Sequence, residues 1–236
     1  MKIDLFTVAW NEIDRIQQFL DYYKNEVDSI TIYDNYSVDG TDDICLQNGC
    51  TVYKFGEGEH NESELMNIRN TCWQQSKADW VIICDVDEYL RSRNNISIKK
   101  QLSFTPCNII QPKGVQMISR DIKPFREITT GYYESFLDKR ICFKPNDVRA
   151  MNYAGGSHFC YPVMNTGEPV INYTDFYMLH YSMVNKEAWK NRYKQYKSRM
   201  SRWNIVNNAA IHYMFEDEIL DIMFKTGIEN MEEIWL

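Results

Sequence analysis

The sequence predicts an α/β fold with a mostly parallel central sheet, helices on both faces and further helices at the C-terminus. Three observations carry that prediction. Strand and helix patterns alternate through the first 90 residues. Trp80–Cys84 is continuously apolar and Ile3–Ala9 is interrupted mainly by Asp4, as suits strands buried on both faces. A polar cluster follows each of them, at the strand ends where open α/β sheets bind ligands. The length of 236 residues suits one large domain, with or without a short C-terminal appendage.

Ile3–Ala9 reads as a buried strand, and Ile13–Lys24 as a helix with Ile16, Phe19, Leu20 and Tyr23 on one face. Ser29–Tyr33 is rich in β-branched residues and predicts a second strand. Asp34–Thr41 is turn chemistry, with Thr41 opening a short helix through Leu46. Cys50–Phe55 is a third strand and Gly56–His60 a polar loop. Asn61 or Ser63 opens a helix that runs to about Lys77, and Trp80–Cys84 is a fourth strand. Beyond it the pattern loosens. Asn108–Ile118, Arg140–Lys144 and part of Val170–His180 read as strands, and Ala154–His158 as a flexible loop. Lys186–Trp203 reads as a basic, Tyr-rich helix whose face suits solvent, phosphate, an anionic acceptor or a membrane surface. Asn207–Phe224 reads as an amphipathic helix with Ile211, Phe215, Ile219, Ile222 and Met223 on its stripe.

A net charge of −7 argues against a nucleic-acid groove, yet leaves room for a nucleotide whose phosphates a metal ion neutralises. Sixteen Tyr and six Trp suit a core, and also a cleft that stacks flat rings on sugars. No window is apolar enough to span a bilayer and no leader pattern opens the chain. The seven cysteines show no CxxC pair, so reduced thiols are expected, with Cys45, Cys72 and Cys84 as core filler. A cytoplasmic protein, at most peripheral to a membrane, is the expectation.

The sharpest chemical feature is Cys84-Asp85-Val86-Asp87-Glu88, where a buried strand ends and two carboxylates emerge two residues apart. In extended backbone such residues share a side, so Asp85 and Asp87 can face one Mg²⁺ or Mn²⁺ together. A solvated acidic turn is the structural alternative. Asp34, at the second strand's end, suits a base or ribose contact, while Asp39-Gly40-Thr41 suits a helix cap.

Four segments in order resemble family 2 glycosyltransferases of the GT-A (nucleotide-diphospho-sugar transferase) fold. They are Val8-Ala9-Trp10-Asn11-Glu12, Asp34 with Ser37-Val38-Asp39-Gly40-Thr41, Arg69-Asn70, and Asp85-Val86-Asp87. Glu134, Lys139-Arg140-Ile141, Lys144-Pro145, His158 and Leu179-His180-Tyr181 follow the order of one branch more loosely. The resemblance implies a transferase domain over 1–203, with 1–90 binding nucleotide and 91–203 the acceptor, and a helical extension over 204–236. It implies that Ala9, Asn11, Glu12 and Val86 line the nucleotide pocket, and that Asp34 holds base or ribose. Arg69 would sit near Asp34 or the diphosphate, and Asp85 and Asp87 would hold Mn²⁺ or Mg²⁺. His180 and His158 are the candidates for a further ligand, and Glu134 or Asp138, with Glu127 behind them, for the general base. The implied partners are a UDP- or GDP-sugar and a glycan, lipid-linked or protein-glycan acceptor, with inversion at the sugar. The rival readings are a haloacid-dehalogenase-type phosphatase, which also places DxD after an apolar strand, and a binding module without turnover. Sugar nucleotidyltransferases share the fold, but their Gly-rich N-terminal loop is absent here.

Overall fold

The computed structural model describes residues 1–234. Its first half follows the predicted alternation: β1 (Ile3–Ala9), α1 (Ile16–Tyr23), β2 (Ser29–Asp34), α2 (Thr41–Gln47), β3 (Thr51–Lys54), α3 (Glu62–Thr71) and β4 (Trp80–Ile83). These four strands lie parallel in the order β3-β2-β1-β4. β4 is buried along its whole length, which explains its unbroken apolar run. Two helices are shorter than expected. α1 starts at Ile16, leaving Ile13 exposed, and α3 stops at Thr71, beyond which Cys72–Gln75 form turns. Asn61 is the α3 cap, its side chain accepting the Ser63 N–H.

Next come β5 (Glu88–Ser92) and α4 (Ile98–Phe104), neither of which is evident in the sequence. The predicted strand Asn108–Ile118 is two strands, β6 (Ile109–Ile110) and β7 (Lys113–Ile118), in different sheets. Pro112 lies between them and has no N–H to continue a ladder. β8 (Thr130–Tyr133), β9 (Cys142–Phe143), β10 (Val148–Ala150), β11 (Val163–Met164), β12 (Ile171–Asn172) and β13 (Phe176–Met183) follow. The chain then forms α5 (Lys186–Ser198), α6 (Arg202–Val206), α7 (Asp217–Asn230) and β14 (Glu232–Glu233).

The first sheet is extended past β4 by β9, β6 and β12, with β9 antiparallel to both neighbours. A second sheet has the order β14-β8-β7-β13-β5. The acidic turn Asp85–Asp87 is the passage from β4 in one sheet to β5 in the other. The Tyr23 hydroxyl fastens this passage from behind: it donates to the Glu88 carbonyl (3.1 Å) and accepts the Leu90 N–H (2.8 Å). Tyr23 is fully buried, so both of its polar roles are filled where water cannot reach.

The C-terminal segment departs from expectation. Instead of one helix over 207–224, a 3₁₀ turn (Ile211–Met214) is followed by extended Phe215 and Glu216, and then α7. The stripe of Ile211, Phe215, Ile219, Ile222 and Met223 is exposed, while α7 buries Leu220 and Gly227. The lysines of α5 pair with acidic residues of α7 and with Glu216 just before it. Lys186 and Lys190 reach Asp221 at 2.9 Å, Lys194 reaches Asp217 at 3.0 Å, and Lys197 reaches Glu216 at 2.9 Å. Solvent screens pairs of this kind, so they orient α7 more than they stabilise it. Among the described residues no helix is long and apolar enough to cross a membrane. All seven cysteines are free, with Cys45 and Cys84 buried as expected and Cys72 only half-buried.

Candidate active site

The polar clusters at the ends of β1, β2, β3 and β4 meet, as expected, around one cleft of about 750 Å³. That volume lies within the range of small-molecule sites, about 300–1,000 Å³. Ala9, Glu12, Asn35, His60, Asp85 and Asp87 contribute from the strand ends, and Glu134, His158 and His180 from the second half. Val86 also reaches it, and α5 closes one side.

Asp85 is held between two cations. Its Oδ1 accepts from Arg69 Nη2 at 2.8 Å, and its Oδ2 lies 3.8 Å from Lys139 Nζ. Burial works against ionisation of Asp85, but Arg69 and Lys139 outweigh it and hold the carboxyl well below the usual carboxylate range. Lys139 is itself buried and bonded to the buried Glu88 at 2.5 Å. Burial opposes the charge on Lys139, yet Glu88 and Asp85 raise its pKa above the ordinary lysine value. Glu88 also accepts the Asp85 backbone N–H at 3.0 Å, fixing the turn. Arg69 reaches on to Glu62 at 3.6 Å, so a buried chain of alternating charge runs Glu62–Arg69–Asp85–Lys139–Glu88.

Asp87 accepts from Arg15 Nη1 at 2.9 Å and faces His180 Nε2 at 3.7 Å. Strand pairing puts His180 there, because on β13 it stands opposite Glu88 of β5 and Gln116 of β7. Gln116 donates its amide N–H groups to the carbonyls of Met117 and His180, leaving Oε1 to accept from His180 Nδ1 at 2.8 Å. With Nδ1 bonded to Gln116, Nε2 is the ring nitrogen turned toward Asp87. Among the described residues no three His, Cys, Asp or Glu side chains form a closed cation cage. The donors at the turn are engaged by Arg15, Arg69 and Lys139 instead.

The other candidates divide. Glu12 lines the cleft and pairs with Arg192 of α5. Glu134 lines it too, its Oε1 accepting the Phe136 N–H at 3.2 Å. His158 stacks on the Phe136 ring at 3.7 Å and bonds the Phe136 carbonyl through Nδ1. Burial, and then Lys139, push its pKa down to about 3.

Four expectations need correction. Asn11 does not line the nucleotide side. Its Oδ1 accepts the Val38 N–H and its own N–H goes to Ser37, which ties two strand-end loops together. Asp34 is fully buried, holding Lys54 at 2.6 Å and the Ser37 N–H at 2.9 Å, and Asn35 faces the cleft in its place. Asp138 accepts the Gly114 N–H at 2.6 Å and braces the start of β7, so it is not placed to serve as a base. Glu127 is exposed in a 3₁₀ turn away from the cleft.

Sequence reasoning missed the α5 side. Arg199 lies with its guanidinium 3.4 Å over the Trp10 ring and bonds Asn35 and the Gly58 carbonyl. Burial lowers its pKa to about 10. Arg192 and Arg199 lie seven residues apart, two helical turns, and that spacing was the available signal.

His60, buried at the end of the β3 loop, is neutral in the fold: burial lowers its pKa to about 4, against 6.5 for a free ring. The unfolded chain therefore takes up this proton first as pH falls. Stability is full above about 6.5 and is lost as pH drops toward 4. The thermal midpoint is expected to fall between pH 7.5 and pH 5, and to fall less in His60→Phe. An equal fall in the variant would contradict the assignment.

No protein-family model matches the sequence, and no characterised protein matches it by sequence. Among solved structures the chain is similar to S. aureus TarS 1-349 in complex with UDP-GlcNAc. The identity is 13% over 95% of this chain and 70% of that one, with a TM-score of 0.49. It is similar to mannosyl-3-phosphoglycerate synthase from Rubrobacter xylanophilus, at 17% identity over 53% of this chain and 43% of that one, TM-score 0.37. A third likeness is to glucosyl-3-phosphoglycerate synthase from Mycobacterium tuberculosis in complex with Mn²⁺, UDP and glucosyl-3-phosphoglycerate. Its identity is 15% over 50% of this chain and 44% of that one, with a TM-score of 0.35.

Proposed function

We propose that this chain is a GT-A-type glycosyltransferase that binds a UDP- or GDP-sugar in the cleft and passes the sugar to an acceptor hydroxyl. The acceptor class we propose is a glycan, lipid-linked or protein-borne. The observation that carries the reading is the acidic turn between the two sheets. It presents Asp85 and Asp87 to a large cleft, with three cations and the His180 imidazole around them.

Asp85, Asp87 and His180 are the residues that would hold Mn²⁺ or Mg²⁺, and they would have to exchange Arg15, Arg69 and Lys139 for the ion, because as they stand they form no three-sided cation cage. When bound, such an ion supplies positive charge to a departing nucleoside diphosphate. The protein's own part is clearer. Arg15, Arg69 and Lys139 present positive charge beside the acidic turn, where phosphate oxygens would lie. Glu134, which lines the cleft, is the carboxylate we assign to take the acceptor's proton. In one displacement the acceptor oxygen bonds to the anomeric carbon and the bond to the diphosphate breaks, its electron pair leaving with the phosphate. The configuration inverts, and no sugar–enzyme bond forms.

Incubation with a panel of nucleotide sugars and Mn²⁺ is expected to release nucleoside diphosphate. Release of phosphate from simple phosphomonoesters, with none from nucleotide sugars, would favour the phosphatase instead. Glu134→Gln keeps the cap on the Phe136 N–H and removes the base. It is expected to lower turnover by roughly 10²–10⁴-fold while donor affinity stays within about twofold. Full turnover would remove Glu134 from the role.

A further inference from the structure

The cleft carries solvent-facing aromatic rings on the side built by the second sheet. β8 belongs to that sheet, and the turn after it sets Glu134, Phe136 and Leu137 along the cleft. Leu137 is buried and anchors the turn. The Phe136 main chain is held on both sides: its N–H donates to the Glu134 carboxylate at 3.2 Å, and its carbonyl bonds His158 Nδ1 at 2.8 Å. The His158 ring covers one face of the Phe136 ring, 3.7 Å away and 22° from parallel. Phe159 stands edge-on to Phe136 at 6.1 Å. More than half of each phenylalanine nevertheless meets solvent, 52% of Phe136 and 57% of Phe159.

The loop that carries His158 and Phe159 is tied down. Gly156 has φ +64°, and a Cβ there would lie 2.6 Å from the His158 ring, so glycine is what lets the imidazole lie on Phe136. The Gly156 N–H donates to Glu62 at 2.7 Å. Asn70 accepts the Tyr153 N–H at 2.8 Å and donates to the Tyr153 carbonyl at 3.1 Å. Glu62 and Asn70 both belong to α3, whose Arg69 holds Asp85. One helix thus fixes the acidic turn and the aromatic loop relative to each other. Apolar rings held in water gain when a partner covers them, and rings already fixed give up little freedom in the contact. The face of a phenyl ring is electron-rich and attracts the C–H bonds on the flat side of a pyranose. Flat rings beside a carboxylate that can take a hydroxyl proton fit a sugar. An acyl chain would be served by aliphatic side chains and needs no such carboxylate.

We propose that Phe136 and Phe159 form the platform on which a pyranose ring of the acceptor stacks, bringing a hydroxyl of that sugar to Glu134. The inference rests on the proposed reading of the cleft as a nucleotide-sugar site. With the nucleotide over the β1–β3 strand ends and its phosphates at the acidic turn, the donor's sugar points toward the second sheet, where this platform stands. The contact is to the acceptor sugar itself, so a pyranoside without lipid or protein attached is enough to make it.

The probes are the methyl pyranosides of glucose, galactose, mannose and N-acetylglucosamine, each with UDP or GDP and Mn²⁺ present, read by saturation-transfer NMR. The proteins are the full chain, Phe136→Ala, Phe159→Ala and Phe136→Tyr. At least one pyranoside is expected to bind, with saturation strongest at the C–H protons of one side of its ring. Each alanine variant is expected to weaken that binding at least about fivefold, and Phe136→Tyr, which keeps the flat ring, to hold it within about threefold. Nucleoside diphosphate affinity and the thermal midpoint are expected to stay unchanged in all three variants, which also reports that they fold. Pyranoside binding that survives in either alanine variant overturns the inference, as does a loss in Phe136→Tyr as large as in alanine or a parallel loss of nucleoside diphosphate binding. A parent that binds UDP or GDP and no pyranoside overturns it while leaving the donor site standing. The same holds if the two rings instead govern flotation with phosphatidylcholine vesicles or self-association in gel filtration. If the parent binds neither nucleoside diphosphate, the reading of the whole cleft falls.

Discussion

Replacing Asp85 and Asp87 together by asparagine is expected to lower sugar transfer at least about a thousandfold, roughly 4 kcal/mol in the barrier. The change keeps the shape of both side chains and removes two negative charges. Arg69 would keep Glu62 at 3.6 Å and Lys139 would keep Glu88 at 2.5 Å, so the fold has partners for both buried cations. The loss is therefore expected in turnover and in Mn²⁺-dependent nucleotide affinity, with the thermal midpoint little changed. Steady-state kinetics beside a melting curve separate the two. A variant that transfers sugar normally would end the assignment of the acidic turn.

Lys139→Met is expected to be the most damaging single change to stability. Lys139 is 4% exposed and its ammonium is the partner of Glu88, which is 1% exposed. Breaking one side of a buried pair leaves the other charge without compensation, at about 3–5 kcal/mol. For a chain of this size the thermal midpoint falls by roughly 6–20 °C. Adding Glu88→Leu removes the stranded charge, and the double variant is expected to recover much of the loss. Its turnover would still be low, because Lys139 also faces Asp85. A single variant that melts like the parent would show that the pair is not buried as described. A double variant no more stable than the single one would show that charge is not the cause.

Much of this architecture could be read directly in the sequence, and the reason is local. The strand Trp80–Ile83 is so uniformly apolar that only burial on both faces suits it, Ile3–Ala9 departs from that only at Asp4 and Thr7, and the polar segments after them had one rim to share. Glu88 shows the limit. Beside Asp85 and Asp87 it looks like a third acid of the same loop, yet it opens β5 and turns inward to a lysine 51 residues away. No local pattern reports such a pairing. Asp34 failed for a related reason, since Lys54, 20 residues on, claims it. Strands of two or three residues, such as Val148–Ala150 and Val163–Met164, carry too little periodicity to be seen. The stripe from Ile211 to Met223 has helical spacing, but Phe215 and Glu216 are extended and the apolar side chains face outward. Lys186–Arg202 reads as one basic face; in space its lysines meet α7, while Arg192 and Arg199 turn to Glu12 and Trp10.

The assignment of the acidic turn is tested most directly by titrating Mn²⁺ into the protein with a bound nucleoside diphosphate and following free Mn²⁺ by electron paramagnetic resonance. One ion per chain is expected to lose its free signal in the parent, and none in the variant carrying asparagine at both positions. Equal uptake by parent and variant, or no uptake by the parent, would contradict it.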